Sequence, residues 1–186
     1  MKAVLISIRP KWCEKIISGE KTIEVRKTRP KMYRPFKCYI YCTKDKHLAF
    51  MQNASGTNLI ACMNAETAIP VGGFLGNGKV IGEFLCDEII NINGAGRIPS
   101  DAARPTCLEP AELHQYLRAA TGFGWHISNL KIYDTPRELD DFRRACKNDW
   151  WCESCAMYSE YNGKCGNGSL QIRRPPQSWC YVEGDT

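Results

Sequence analysis

Between residues 10 and 26 the chain changes its period once, and that switch constrains what can be built around it. Residues 11–18 read as a helix, with Pro10 suited to its first turn. Trp12 and Ile16 share one face of it, with Cys13 and Ile17 alongside at helical spacing. Gly19 stops the helix, as glycine commonly does just past a last turn. Residues 21–27 then alternate as a strand. Ile23 and Val25 point one way, and Thr22, Glu24 and Arg26 point the other. Lys21 enters that strand from the turn. A carboxylate and two cations therefore converge on one small volume. Lys21 and Arg26 suit a phosphate, and Glu24 suits a base amino group or a water to be oriented. The plainer alternative is a surface ion-pair network with Glu24 bridging the two cations, worth only about 0–1 kcal/mol if exposed.

The remaining pattern is strand-rich. Residues 4–8 form a short apolar strand that ends at Arg9-Pro10. Residues 37–43 (KCYIYCT) form a long aromatic strand, and 79–90 (KVIGEFLCDEII) another, in which Gly82 predicts a bulge. Residues 110–120 (PAELHQYLRAA) read as a short helix, 125–133 as a strand, 139–144 as a turn or short helix, and 177–183 (QSWCYVE) as a final strand. Residues 44–77, with Gly56, Gly72, Gly73 and Gly76, show little periodicity and read as an irregular insertion, either a long hairpin or a mobile loop. Strands outnumber helices and do not alternate with them, so an α+β fold built as a small mixed barrel with short flanking helices fits better than a doubly wound sheet. One domain spanning 1–186 is expected.

Gly19-Glu20-Lys21-Thr22-Ile23-Glu24-Val25-Arg26 matches the G-x-K-x-x-E-x-R signature of ASCH domains, and the preceding Pro-led helix and first strand resemble that family's opening. Residues 78–83, 125–133 and 177–183 resemble its later strands, in order. The resemblance implies a PUA-like barrel with a charged cleft that handles RNA or a modified nucleotide. The family also includes acetylcytidine amidohydrolases and some ribonucleases. In the amidohydrolases the lysine at the position of Lys21 is catalytic, with a threonine three residues on; here that residue is Glu24. A hydrolase of this kind would use Lys21 and Glu24 as its catalytic pair. The later-helix carboxylate of those enzymes has only Glu109 and Glu112 as positional candidates.

Further ligand-binding candidates are Ser7 and Arg9 at the end of the first strand, His126 beside Trp125, and Ser178 beside Trp179. Trp12 and Tyr39 read as core. Charge is uneven: residues 1–47 hold 13 Lys/Arg against 4 Asp/Glu, and the remainder 12 against 16. A basic N-terminal quarter suits a polyanionic partner. No apolar run approaches the roughly 20 residues that span a bilayer. The apolar run at 3–8 is short and lacks a cleavage site, so no signal peptide and a cytoplasmic location are expected.

Eleven cysteines without a signal peptide point to reduced thiols plus a metal site rather than a disulfide scaffold. Cys146, Cys152, Cys155 and Cys165 fall within a Cys- and Gly-rich lobe at 146–168. Cys152 and Cys155 have the C-x-x-C spacing that places two thiolates on one ion, and Gly166 and Gly168 allow the backbone to turn beside Cys165. Four sulfurs suit structural zinc, with Cys180 the likeliest substitute ligand. An iron–sulfur cluster takes the same donors, but no other feature indicates redox work. Three classes of function follow: an RNA- or nucleotide-binding module, a hydrolase acting on RNA or an acylated nucleoside, and a regulatory domain whose zinc lobe docks a protein partner.

Overall fold

The computed structural model describes residues 1–46, 48–53, 60–64, 71–92, 106–118, 120–146, 158–159 and 164–184. Its centre is strand β1 (Lys2–Ile8), which is buried on both faces from Ala3 onward. Val4, Ile6 and Ile8 enter one core with Cys13, Ile16, Phe36 and Trp125. Ala3 and Leu5 enter a second core with Tyr39, Tyr41, Phe142 and Ile172. A strand buried on both sides reads as a continuous apolar run, which is why residues 4–8 show no polar alternation.

β1 pairs in parallel with β3 (Phe36–Cys42) and antiparallel with β13 (Trp179–Glu183). β7 (Val80–Cys86) and β10 (Ser128–Arg137) extend this sheet in the order β10-β7-β3-β1-β13. The expected bulge is present. Ile40 pairs with Gly82 but Tyr41 pairs with Val80, so Ile81 is the extra residue. A Cβ on Gly82 would lie 2.5 Å from the Lys131 carbonyl oxygen, so glycine is required by the close approach of β10.

The second sheet runs β2-β9-β8, from β2 (Ile23–Arg26), β9 (Gly122–His126) and β8 (Ile89–Ile92). It does not join the first into a closed barrel. The first sheet ends at β10 and β13, and among the described residues neither edge pairs with β2, β8 or β9. The sheets meet instead through side chains: Trp125 packs edge-on against Phe36 and Trp179. Among the described residues the architecture is therefore α+β and sheet-dominated, with separate sheets in place of the expected barrel.

Residues 44–77 hold antiparallel strands. They contribute β4 (Leu48–Asn53), β5 (Ile60–Asn64) and β6 (Gly73–Leu75), a small antiparallel sheet whose first two strands contact helix α1. α1 itself spans Pro10–Ile17, with Pro10 in the first turn. Gly19 takes a positive φ of 78° where the chain leaves the helix. Helix α2 (Pro110–Leu117) begins with a capping box between Glu109 and Glu112. It buries Leu113 and Leu117 against Val25 and Ile92. A short ladder, β11 (Tyr158–Ser159) with β12 (Lys164–Cys165), lies in the Cys-rich segment.

Candidate functional site

β2 carries Glu24 and Arg26 toward the first sheet, while Val25 faces the α2 core. Lys21 lies just before it, its amide bonded to the Lys15 carbonyl as the chain leaves α1. All three charged side chains are buried, with Lys21 2%, Glu24 6% and Arg26 7% exposed. This is the decisive difference from a surface network. Moving one ion out of water into a protein interior still costs several kcal/mol after relaxation, and only good partners offset that.

The partners are present. Lys21 Nζ donates to the carbonyls of Ile23 (2.8 Å) and Thr106 (2.7 Å), and lies 3.3 Å from Glu24 Oε2. All three donors of the ammonium thus face acceptors. Glu24 Oε1 lies 2.8 Å from an Arg26 terminal nitrogen. The same guanidinium donates to the Ser7 carbonyl (2.6 Å), and its other end reaches the Ser178 carbonyl and hydroxyl at 3.5 and 3.4 Å. Arg26 therefore bridges β2 to the end of β1 and to the start of β13. Its buried Nε has no hydrogen-bond partner among the described residues. The Ser7 hydroxyl donates to the Pro176 carbonyl (2.6 Å), and the Ser7 amide to the Ser178 carbonyl (2.9 Å). These bonds fix the 175–178 segment alongside.

The network forms the floor of a cleft of about 840 Å3, within the range of roughly 300–1,000 Å3 common for small-ligand sites. Ser7, Arg9, Lys21, Glu24, Arg26 and Ser178 all line it, although they come from both ends of the chain. Arg9 and Lys11 are exposed cations on its wall. Lys11 Nζ lies 4.3 Å from the centre of the Trp12 ring, and Lys21 Nζ 5.3 Å from it. Across the cleft, α2 supplies Glu112, Gln115 and Tyr116. Burial pushes the Tyr116 phenol upward; Arg26 opposes that shift and Glu24 adds to it. Tyr116 therefore stays a neutral hydroxyl through the physiological range.

Two placements differ from the sequence reading. His126 does not line the cleft. It pairs with Ile23, on the face opposite Glu24, and its Nδ1 lies 2.7 Å from Asp87 Oδ1. Trp12, read as core, packs against the first core and also lines the cleft. Tyr116 was not singled out at all. Of the carboxylate candidates on α2, Glu112 lines the cleft and Glu109 does not. Glu112 also accepts from the Glu109 amide at 3.1 Å in the capping box.

Of the candidate metal ligands, Cys152 and Cys155 lie outside the described residues, as does the side chain of Cys165. Cys146 is part-buried, and Cys180 packs beside the second core. Among the described residues no group of three or more His, Cys, Asp or Glu is placed to hold a metal ion, and no helix is long and apolar enough to cross a membrane.

No protein-family model matches the chain, and no curated protein matches it. Solved structures do. The chain is similar to the crystal structure of a Tyr→Phe variant of the ASCH protein from Zymomonas mobilis, with a TM-score of 0.56 at 18% identity, covering 98% of this chain and 91% of that one. The unsubstituted Zymomonas mobilis ASCH protein matches with a TM-score of 0.50 at 17% identity, covering 97% and 87%. A Ser→Ala variant gives 0.50 at 15%, covering 97% and 88%. The likeness runs through nearly the whole of both chains and concerns the fold: this chain has an ASCH-domain fold.

Proposed function

We propose that the cleft binds RNA or a nucleotide. The observation that carries this reading is the buried Lys21–Glu24–Arg26 network at the floor of a cleft walled by exposed cations and by Trp12 and Tyr116. Phosphate oxygens suit Arg9 and Lys11 at the wall. A base suits the aromatic faces, because unpaired bases stack on Trp and Tyr whatever their sequence. Glu24 still has lone pairs beyond the two it uses, so a base amino group reaching the floor finds an acceptor. The ASCH fold of the structural neighbours supports a nucleic-acid ligand.

Binding is favoured over hydrolysis with Lys21 as the base. The Lys21 ammonium is engaged by two backbone carbonyls and a carboxylate. That arrangement holds the floor together and suits positioning. The test is titration of the protein with labelled single-stranded RNA at rising salt. A phosphate-tracking site loses affinity steeply, with log K linear in log salt. Absence of binding at low salt sinks the proposal.

A further inference from the structure

A second cavity of about 640 Å3 lies next to the first, and the two share Thr43 and Pro175 as wall residues. We propose that together they form one trough that takes a single-stranded polynucleotide several nucleotides long, the second cavity being a subsite for the strand as it leaves the first. This rests on the nucleotide-binding reading of the first cleft and extends it from a nucleotide to a strand.

Apart from Thr43, the wall between them is one continuous segment. Arg173 and Pro175 face the second cavity, and residues 175–178 face the first. Two successive prolines limit the backbone freedom of that segment, and the Ser7 hydroxyl holds it at the Pro176 carbonyl. The saddle between the cavities is therefore built from rigid backbone rather than from a swinging side chain.

The charges suit a backbone that crosses the saddle. Lys44 and Arg173 are exposed cations on the second cavity's walls. Lys44 lies over the turn at Gly78, where a Cβ would meet its side chain at 2.9 Å. Two carboxylates, Glu138 and Asp140, also face this cavity. Glu138 is neutralised by Lys79 at 2.6 Å. Among the lining residues that leaves Asp140 against Lys44 and Arg173. Leu139, Ile172 and Pro175 add apolar wall, which accepts the face of a base. A lone nucleotide seated over Lys21 and Glu24 stays within the first cavity and leaves the second empty; a strand reaches both. Bases enter such concavities only when unpaired, so the occupant is single-stranded.

Length dependence is the test. Fluorescence anisotropy on the full chain compares a labelled uridine dinucleotide with longer oligouridylates. The longer strands are expected to bind tighter. Lys44→Glu with Arg173→Glu should remove that gain, by roughly fivefold or more, and lower the salt slope by about 1.4, at about 0.7 per lost phosphate contact on a single strand. Dinucleotide affinity should be unchanged. Both positions are exposed, so thermal unfolding should also be unchanged; Arg173→Gln provides a milder second variant. Equal affinity for short and long strands, full retention of the length gain in the variants, or equal weakening of the dinucleotide would each overturn the second subsite while leaving the first cleft's reading intact. If no oligomer of any length binds the wild type, the nucleotide-binding reading itself fails.

Discussion

Two ion-pair systems lie within twelve residues of each other and have nearly equal distances. Lys15 and Glu20 approach to 2.9 Å, with side chains 38% and 60% exposed. Glu24 lies 3.3 Å from Lys21 and 2.8 Å from Arg26, with all three buried. The first pair straddles the end of α1 and stays in water. The second is carried inward by the strand that follows. Distance does not separate the two systems; solvent does. In water an ion pair gains little, because both ions were already well solvated. In the cleft floor each ion has lost that solvation, so each depends on its partners.

The largest expected effect follows from that dependence. Glu24 is the carboxylate between the two buried cations. Glu24→Gln keeps the shape and removes the charge, leaving two cations facing each other. Breaking a buried pair in this way is expected to destabilise the fold by about 3–5 kcal/mol, read as a lower urea midpoint with an unchanged m-value. Lys21→Met should be comparable, because it also strips the Ile23 and Thr106 carbonyls of a donor. In a Glu24→Leu background the same Lys21→Met change should do far less damage, since one orphaned charge is then removed rather than created. If the two substitutions simply add, the buried network is not a coupled unit.

Next in size is Gly82→Ala. The new methyl would meet the Lys131 carbonyl oxygen at 2.5 Å and Ile132 side-chain carbon at 2.9 Å. Backbone on one side cannot yield cheaply, so a loss of about 1–3 kcal/mol is expected. Because Gly82 is remote from the cleft lining, strand affinity measured well below the melting temperature should survive. That outcome separates damage to the fold from damage to the site, which the Glu24 and Lys21 variants combine.

How far the site was legible follows the distances in sequence. Ser7, Arg9, Lys21, Glu24 and Arg26 lie within twenty residues, and a strand, a Pro-led helix and an alternating strand are enough to bring them near one another. Ser178 is a different case. It joins them because the chain returns antiparallel to β1 after some 170 residues, a pairing that no local period encodes. Tyr116 and Trp12 were missed for a related reason. An amphipathic helix announces its apolar face, but not which cleft its flank will border. His126 lies one register step from the cleft face. Trp125 pairs with Glu24, so the next residue takes the opposite face. The barrel failed on edges: β10 and β13 end one sheet and β2 and β8 the other, and a sequence of strands does not state which edges will pair.

A smaller effect is expected at the His126–Asp87 pair. The hydrogen bond from His126 holds the Asp87 carboxyl below its ordinary 3.8, with burial opposing and Ser128 assisting. A carboxyl depressed on folding stabilises the native state above its unfolded pKa, and that contribution fades as pH falls through the folded value. Asp87→Asn should therefore lower stability slightly at neutral pH and flatten the acid limb of the profile below about pH 4. Asp87 is nearly half exposed, so solvent screening keeps the change small. Urea titrations at neutral and acid pH measure it; an unaltered acid limb would show that the pair contributes nothing.

The smallest effect belongs to Lys15→Ala, and it closes the comparison from the other side. Lys15 and Ser18 both donate to Glu20 and hold its carboxyl below the ordinary 4.5. The sign is the same as at Asp87: any stabilisation is present above the unfolded pKa and lost as pH falls through the folded one. Both partners stand in solvent, however, so mobile ions screen the pair and water replaces either member at once. Lys15→Ala should leave the urea midpoint within experimental scatter at neutral pH, and added salt should not change that result. Lys21→Met, six residues on, should keep its full effect at the same salt, because mobile ions do not reach a buried pair. If the two lysine variants lost equal stability, or if salt rescued Lys21→Met, burial would not be what distinguishes the cleft floor from the helix end.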